Sequence, residues 1–178
     1  MTAGIVIRRV GGGEPEPGVV AGLVEVLVDC VEGGASVGFL APFGRERAEA
    51  FWVSALQDAD RGTRILLVAE DETGGETLGT VQVVLANADN QPHRADIVKL
   101  LVHRRARRRG LGEQLMRAAE AAALEAGRPL LVLDTASPAA ERLYCRLGWT
   151  RVGEIPDYAL WPDGRPVATT ILYKQLTD

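Results

Sequence analysis

A short apolar strand, an arginine- and glycine-rich loop and a strong helix follow one another between Asp96 and Leu124, and few folds accommodate that succession. Leu100-Leu101-Val102 leads into Arg107-Arg108-Arg109-Gly110-Leu111-Gly112, and a run of Ala, Leu, Glu, Gln, Met and Arg begins at once. The first amides of a helix lack intrahelical partners and carry a partial positive charge, so this junction is an anion site. Gly110 and Gly112 have no Cβ, which lets a bulky phosphate reach the backbone. Five arginines between Arg104 and Arg109 add a positive field suited to a diphosphate rather than one carboxylate. Neither Gly-x-x-x-x-Gly-Lys-Ser/Thr nor Gly-x-Gly-x-x-Gly with an acidic partner occurs, which argues against a P-loop and a dinucleotide fold.

With 178 residues, 47% apolar and 25% charged, the chain fits one domain, 1–178, able to bury a core. A net charge of −4 does not favour nucleic acid or anionic membranes as partners, the arginine run apart. No apolar run is long enough to span a bilayer, and no signal-peptide pattern opens the sequence. Cys30 and Cys145, with His93 and His103 apart from them, form neither a zinc pattern nor a disulfide framework. A reduced, cytoplasmic protein without a metal is expected.

The rest of the chain reads as alternating strands and helices. Ile5 to Val10 is a strand and Gly11 to Gly18 a loop. Val20, Leu23, Val24, Leu27, Val28 and Val31 recur at helical spacing between Val19 and Val31. A glycine-rich link, Gly33 to Gly44, precedes a helix over Arg45 to Ala59, with Phe51, Ala55 and Ala59 on one stripe. Strands are expected at Arg64 to Ala69 and Thr77 to Ala86, joined through Thr73-Gly74-Gly75, and at Ala95 to Val102 after a turn through Asp89 to Pro92. A helix over Leu111 to Ala126 stops at Gly127 and Pro129, and a strand over Leu130 to Leu133 ends at Asp134. Ser137 caps a shorter helix with Pro138 at its first position and Gly148 at its end. Strands at about Thr150 to Glu154 and Val167 to Leu176 complete the order β-α-α-β-β-β-α-β-α-β-β.

This pattern resembles the GNAT superfamily of N-acetyltransferases. The family's pyrophosphate loop, Arg/Gln-x-x-Gly-x-Gly/Ala after a valine-ended strand, is matched by Val102, Arg107, Gly110 and Gly112. Its downstream Asn-x-x-Ala-x-x-x-Tyr-x-x-x-Gly-Phe is matched by Ala140, Tyr144 and Gly148, with Ser137 in place of Asn and Trp149 in place of Phe. Asn90 to Ala95 and Gly34 to Phe39 look like the tabtoxin-resistance type. The resemblance implies an α/β (α+β) fold: a mixed, mostly antiparallel sheet of about seven strands with about four helices, diverging strands forming an acetyl-CoA cleft. It implies that Arg107 to Gly112, Leu111 included, bind the pyrophosphate. It further implies that the backbone of Leu100, Leu101 and Val102 pairs with the pantetheine arm, and that Ser137 and Ala140 lie beside that arm. Tyr144 would protonate the leaving thiolate.

An attacking amine must be neutral, so a carboxylate has to take its proton, and Asp96 and Asp134 are the candidates. Asp96 lies six residues before Val102, roughly 20 Å along a strand and comparable with an extended pantetheine arm. Each aspartate also reads as an ordinary strand-end residue, Tyr144 as a core aromatic, and His93 as a surface histidine or a weaker base. Phe39, Phe43, Phe51 and Trp52 line an acceptor cleft or pack helices. The expected activity is acetylation of a primary amine on a small molecule in a ternary complex. A non-catalytic acyl-CoA-binding module is the alternative, and a nucleic-acid adaptor the less favoured one. A homodimer is compatible with the sequence, which does not separate exposed from interface faces.

Overall fold

The computed structural model describes residues 4–13 and 16–177. The elements follow in the expected order: β1 (Ile5–Val10), α1 (Pro17–Glu32), α2 (Arg45–Asp60), β2 (Arg64–Asp71), β3 (Thr77–Leu85), β4 (Arg94–Val102), a 3-10 turn (Arg104–Ala106), α3 (Leu111–Glu125), β5 (Leu130–Thr135), α4 (Pro138–Arg146), β6 (Thr150–Leu160) and β7 (Pro166–Gln175). All seven strands join one sheet in the order β1-β2-β3-β4-β5-β7-β6. Every junction is antiparallel except β4 with β5.

Strand alternation sorts the side chains into two layers. Ile65, Leu67, Val81, Val83, Ala95, Ile97, Leu131 and Leu133 face α3 and α4, where they meet Leu111, Leu115, Met116 and Tyr144. Leu66, Val68 and Leu101 face the opposite way, onto Leu23 and Leu27 of α1 and Trp52 and Leu56 of α2. A partly buried network then ties the α3 layer to the far strands. Glu120 accepts from the Trp149 indole at 2.8 Å and from Lys174 at 2.7 Å, and Lys174 also donates to the Leu147 carbonyl at 2.7 Å.

Three expectations are corrected. Helix α1 starts at Pro17, inside the expected loop, because proline suits the first helical position. In α2 the buried stripe is Ala48, Trp52, Ala55, Leu56 and Ala59, while Phe51 is half-buried and points elsewhere. Strand β6 extends to Leu160 rather than Glu154. Pro156 is tolerated there because β6 is an edge strand and its register slips between Ile155 and Ala159, with Asp157 at φ 51°.

Candidate active site

The sheet forks between β4 and β5. Their parallel pairing runs through Arg94, Ala95 and Asp96 against Leu130, Leu131 and Val132 and ends there. Beyond that point β5 continues with β7 through Thr135, while β4 continues with β3 through Val102. The expected divergence of strands is present, and Asp96 stands at its apex.

The arm of β4 carries a bulge. Val98 pairs with Gln82 and Leu101 with Thr80, so two residues of β4, Lys99 and Leu100, oppose the single Val81 of β3, and Lys99 adopts φ 54°. His103 donates to the Leu78 carbonyl at 2.9 Å, which by alternation turns the backbone of Leu101 toward β3 and that of Val102 toward the fork. Between Val98 and Leu101, both turned to β3, Lys99 and Leu100 present consecutive backbone groups to the fork. Leu101, expected to contribute its backbone there, faces β3 instead, and its side chain is buried against α1 and α2.

This arm ends at the arginine–glycine loop. Gly110 adopts φ 76°, a left-handed conformation open to glycine without strain, and starts α3 with no side-chain cap. The first intrahelical acceptor, Gly110 O, takes Gln114 N at 3.1 Å, so the amides between them point outward. A Cβ on Gly112 would stand 3.2 Å from Leu143 Cδ2 of α4, so the glycine also seats α3 closely on α4. Leu111 contributes its amide only; its side chain is core.

The arginines divide. Arg104 donates its backbone N–H and Nε to the two Asp29 oxygens, each at 2.8 Å. Arg105 pairs with Glu76 at 2.5 Å. Arg107 folds back so that Nε donates to the Val102 carbonyl at 3.0 Å, with Cys30 Sγ 3.7 Å from its other nitrogen. Among the described residues, Arg108 and Arg109 have no such partner, and both are exposed. Acidic partners therefore neutralise two of the five guanidiniums, and of the three left only Arg108 and Arg109 have no hydrogen-bond partner among the described residues.

The candidate proton-transfer residues sit on both arms. Asp96 Oδ1 accepts from Arg94 at 2.7 Å. Asp96 and Arg94 line a depression of about 320 Å³ with Asp58, Arg64 and Asn87. Asp134, on the opposite arm and exposed, accepts from the Thr169 hydroxyl at 2.7 Å. Tyr144 is buried, its ring 6.0 Å from that of Trp149. Burial first, and then the Asp134 charge, push its phenol above the ordinary tyrosine range, so it stays protonated. Ser137 Oγ accepts from Ala140 N at 3.3 Å as the cap of α4, which makes both residues part of the helix start. His93 is an exposed turn residue whose carbonyl accepts from Leu130.

Three residues absent from the sequence reading belong to the same face. Lys99 extends toward Phe39 and Phe51. Arg64 donates to Gln82 and to Asp58, and the buried Arg64 Nε and Gln82 Nε2 have no partner among the described residues. The signal for Lys99 was a single charge inside Ile97-Val98-Lys99-Leu100-Leu101-Val102, where a strand buried on both faces would carry none. The aromatic cluster is real: Phe39 lies 4.4 Å from Phe43 and 5.4 Å from Phe51, and Phe51 lies 4.9 Å from Trp52.

Residues 62–151 match the family model of the acetyltransferase (GNAT) domain. Among solved structures, yncA of Salmonella typhimurium, solved with its cofactor acetyl-CoA, superposes with TM-score 0.76 at 20% identity, covering 98% of this chain and 95% of that one. An N-acetyltransferase from Staphylococcus aureus reaches TM-score 0.80 at 15% identity, over 98% of this chain and 100% of the other. A GNAT superfamily phosphinothricin acetyltransferase from Sinorhizobium meliloti, in complex with acetyl-CoA, gives 0.76 at 19% identity over 99% and 89%.

Proposed function

Because this chain belongs to the GNAT acetyltransferase family, we propose that it transfers the acetyl group of acetyl-CoA to a primary amine of a small molecule. The observation that carries this reading is the forked sheet. Backbone groups of Lys99, Leu100 and Val102 face a gap that leads directly to the outward amides of α3 and to Arg108 and Arg109. A long ligand with an amide-bearing arm and a diphosphate matches that line of donors, and those residues fit coenzyme A. Two structural neighbours hold acetyl-CoA, which supports the same assignment.

Acetyl-CoA supplies a thioester whose acetyl carbon is open to attack by a neutral amine. Asp96, at the fork's apex with one oxygen held by Arg94, or Asp134 across the gap, takes the proton from the acceptor's ammonium. The Lys99 and Leu100 backbone at the bulge orients the acetyl carbonyl. Tyr144, kept protonated by burial, donates to the departing sulfur. The chain thus serves direct transfer in a ternary complex, and neither Cys30, which is buried, nor Cys145 is needed as a nucleophile. The tabtoxin-resistance type is the subgroup we assign, on the Asn90–Ala95 and Gly34–Phe39 segments and on paired Asp96 and Asp134. The protein acts in the cytoplasm as one domain. Among the described residues, no helix is long and apolar enough to cross a membrane.

Thermal melting with and without acetyl-CoA, desulfo-CoA and adenosine 3′,5′-bisphosphate tests the cofactor. A ligand at a hundredfold excess over its dissociation constant stabilises by about 2.7 kcal/mol. Stabilisation by the coenzymes that vanishes in Gly112→Asp is expected, followed by amine-dependent release of free thiol. A well-folded wild type that neither coenzyme stabilises refutes the assignment.

A further inference from the structure

The acceptor side of the fork contains a cation that no protein group neutralises directly. Lys99 sits at the bulge of β4, and its Nζ lies 5.9 Å from the Phe39 ring centre and 5.6 Å from that of Phe51. Gly38 closes the third side, where an added Cβ would stand 3.5 Å from Nζ. Asp134 on the opposite arm and Arg64 on β2 are the charges that act on it. Among the described residues, no carboxylate comes within 4.0 Å of Nζ and no oxygen accepts a hydrogen bond from it. The other cations of this face are committed: Arg64 to Asp58 and Gln82, and Arg94 to Asp96 and Gln91.

Enclosing an ammonium without a counter-ion is unfavourable, and two aromatic faces offset only part of the loss of water. Burial accordingly lowers the Lys99 pKa, Asp134 opposes that shift, and Arg64 adds to it. Lys99 on β4 and Asp134 on β5 thus stand on the two arms of the fork with opposite charges. A ligand that lies between the arms has one end facing a cation and the other facing a carboxylate.

We propose that Lys99 determines acceptor specificity by receiving a carboxylate that the acceptor carries beside its amine. The acceptor then spans the fork, with its carboxylate at Lys99 and its amine toward Asp134 and the apex at Asp96. The inference rests on the amine-acetylation reading above and narrows it to carboxylate-bearing amines over polyamines and simple alkylamines. Phe39 and Phe51 fill the remaining wall and suit the apolar part of such a molecule.

The test uses the whole chain, acetyl-CoA and amines in matched pairs that differ only in the carboxylate: leucine with 3-methylbutylamine, and phenylalanine with 2-phenylethylamine. Thiol release gives kcat and KM, and melting in the presence of coenzyme A gives acceptor affinity independently of turnover. The carboxylated member of a pair should be favoured at least about tenfold, the scale of one charge-assisted hydrogen bond. Lys99→Met keeps an unbranched stem on the same backbone. It should raise KM about 10–100-fold more for the carboxylated member than for the other, so that the preference within each pair collapses. Lys99→Arg should restore most of the difference. Equal treatment of the two members by the wild type, or equal losses in Lys99→Met, overturns the assignment. Failure of the underlying reading registers separately, as absent stabilisation by acetyl-CoA, and the pairwise binding comparison decides on Lys99 in either case.

Discussion

Gly79 of β3 lies opposite Val102, where β3 supports the arm that frames the fork. A Cβ built there stands 2.8 Å from the Leu101 carbonyl oxygen and 3.1 Å from Leu115 Cδ1. The side chain of Leu115 can rotate, but the carbonyl is backbone and can be relieved only by moving β4 about half an ångström away. Overpacking of this kind costs about 1–3 kcal/mol. At about 3 °C per kcal/mol for a chain of this size, Gly79→Ala should melt about 3–9 °C below the wild type. The displaced segment includes Leu100 and Val102, whose backbone faces the fork, so acetyl-CoA should also bind about tenfold more weakly. Gly153→Ala is the control: no atom lies within 4 Å of its added Cβ, and it should stay within about 0.5 kcal/mol of the wild type. Melting curves of both variants with graded acetyl-CoA give the two quantities together. A Gly79→Ala protein that melts and binds like Gly153→Ala refutes the close-contact reasoning and the link from β3 to the cofactor arm.

Tyr144→Phe should lower kcat about 10²-fold with little change in KM for acetyl-CoA. Because burial raises the phenol's pKa, the kcat–pH profile should show no descending limb from this group below about pH 10; a limb near neutrality that the variant abolishes contradicts the assignment. Arg109→Gln should weaken acetyl-CoA about 5–20-fold and flatten its salt dependence, while Arg105→Gln, whose charge is spent on Glu76, should change it less than about twofold. Equilibrium titration at two ionic strengths separates these outcomes. Glu120→Ala should destabilise the fold by about 1–3 kcal/mol, since it leaves the Trp149 indole unpaired and the Lys174 ammonium with the Leu147 carbonyl alone. Adding Lys174→Met should recover part of that loss in denaturant melts, and strict additivity of the two changes would contradict the network.

The element order was legible because most segments state their own period and punctuation. The α3 run, the Ser137–Pro138 cap and the Gly148 stop, which adopts φ 83°, are local signals read locally. What escaped were features set by partners distant in the chain. Pro156 reads as the end of a strand unless β6 is known to lie at the sheet's edge. The arginine run reads as five free charges until Asp29, from α1, and Glu76, from the β2–β3 connection, are seen to pair with two of them. Phe51 and Trp52 exchange places on α2 because the sheet, not the helix period, decides which is covered. Within the candidate site, Tyr144 and the glycine loop are legible from motif spacing, and Asp134 from its place at the end of an apolar strand. The bulge at Lys99 is not, because it appears only when β4 is set against β3.

The fork also has a mechanical meaning. Within the sheet, the leaf β1 to β4 and the leaf β5, β7 and β6 are stitched together by three residue pairs, Arg94–Leu130, Ala95–Leu131 and Asp96–Val132. Past that stitch the two leaves share no strand pairing, and the sheet is an open seam. A molecule lodged in the seam acts as a missing strand, so cofactor occupancy should stiffen the whole sheet rather than one pocket. Amide exchange would register this first at Leu100 and Val102, which face the seam, and last at Leu101 between them, already bonded to β3.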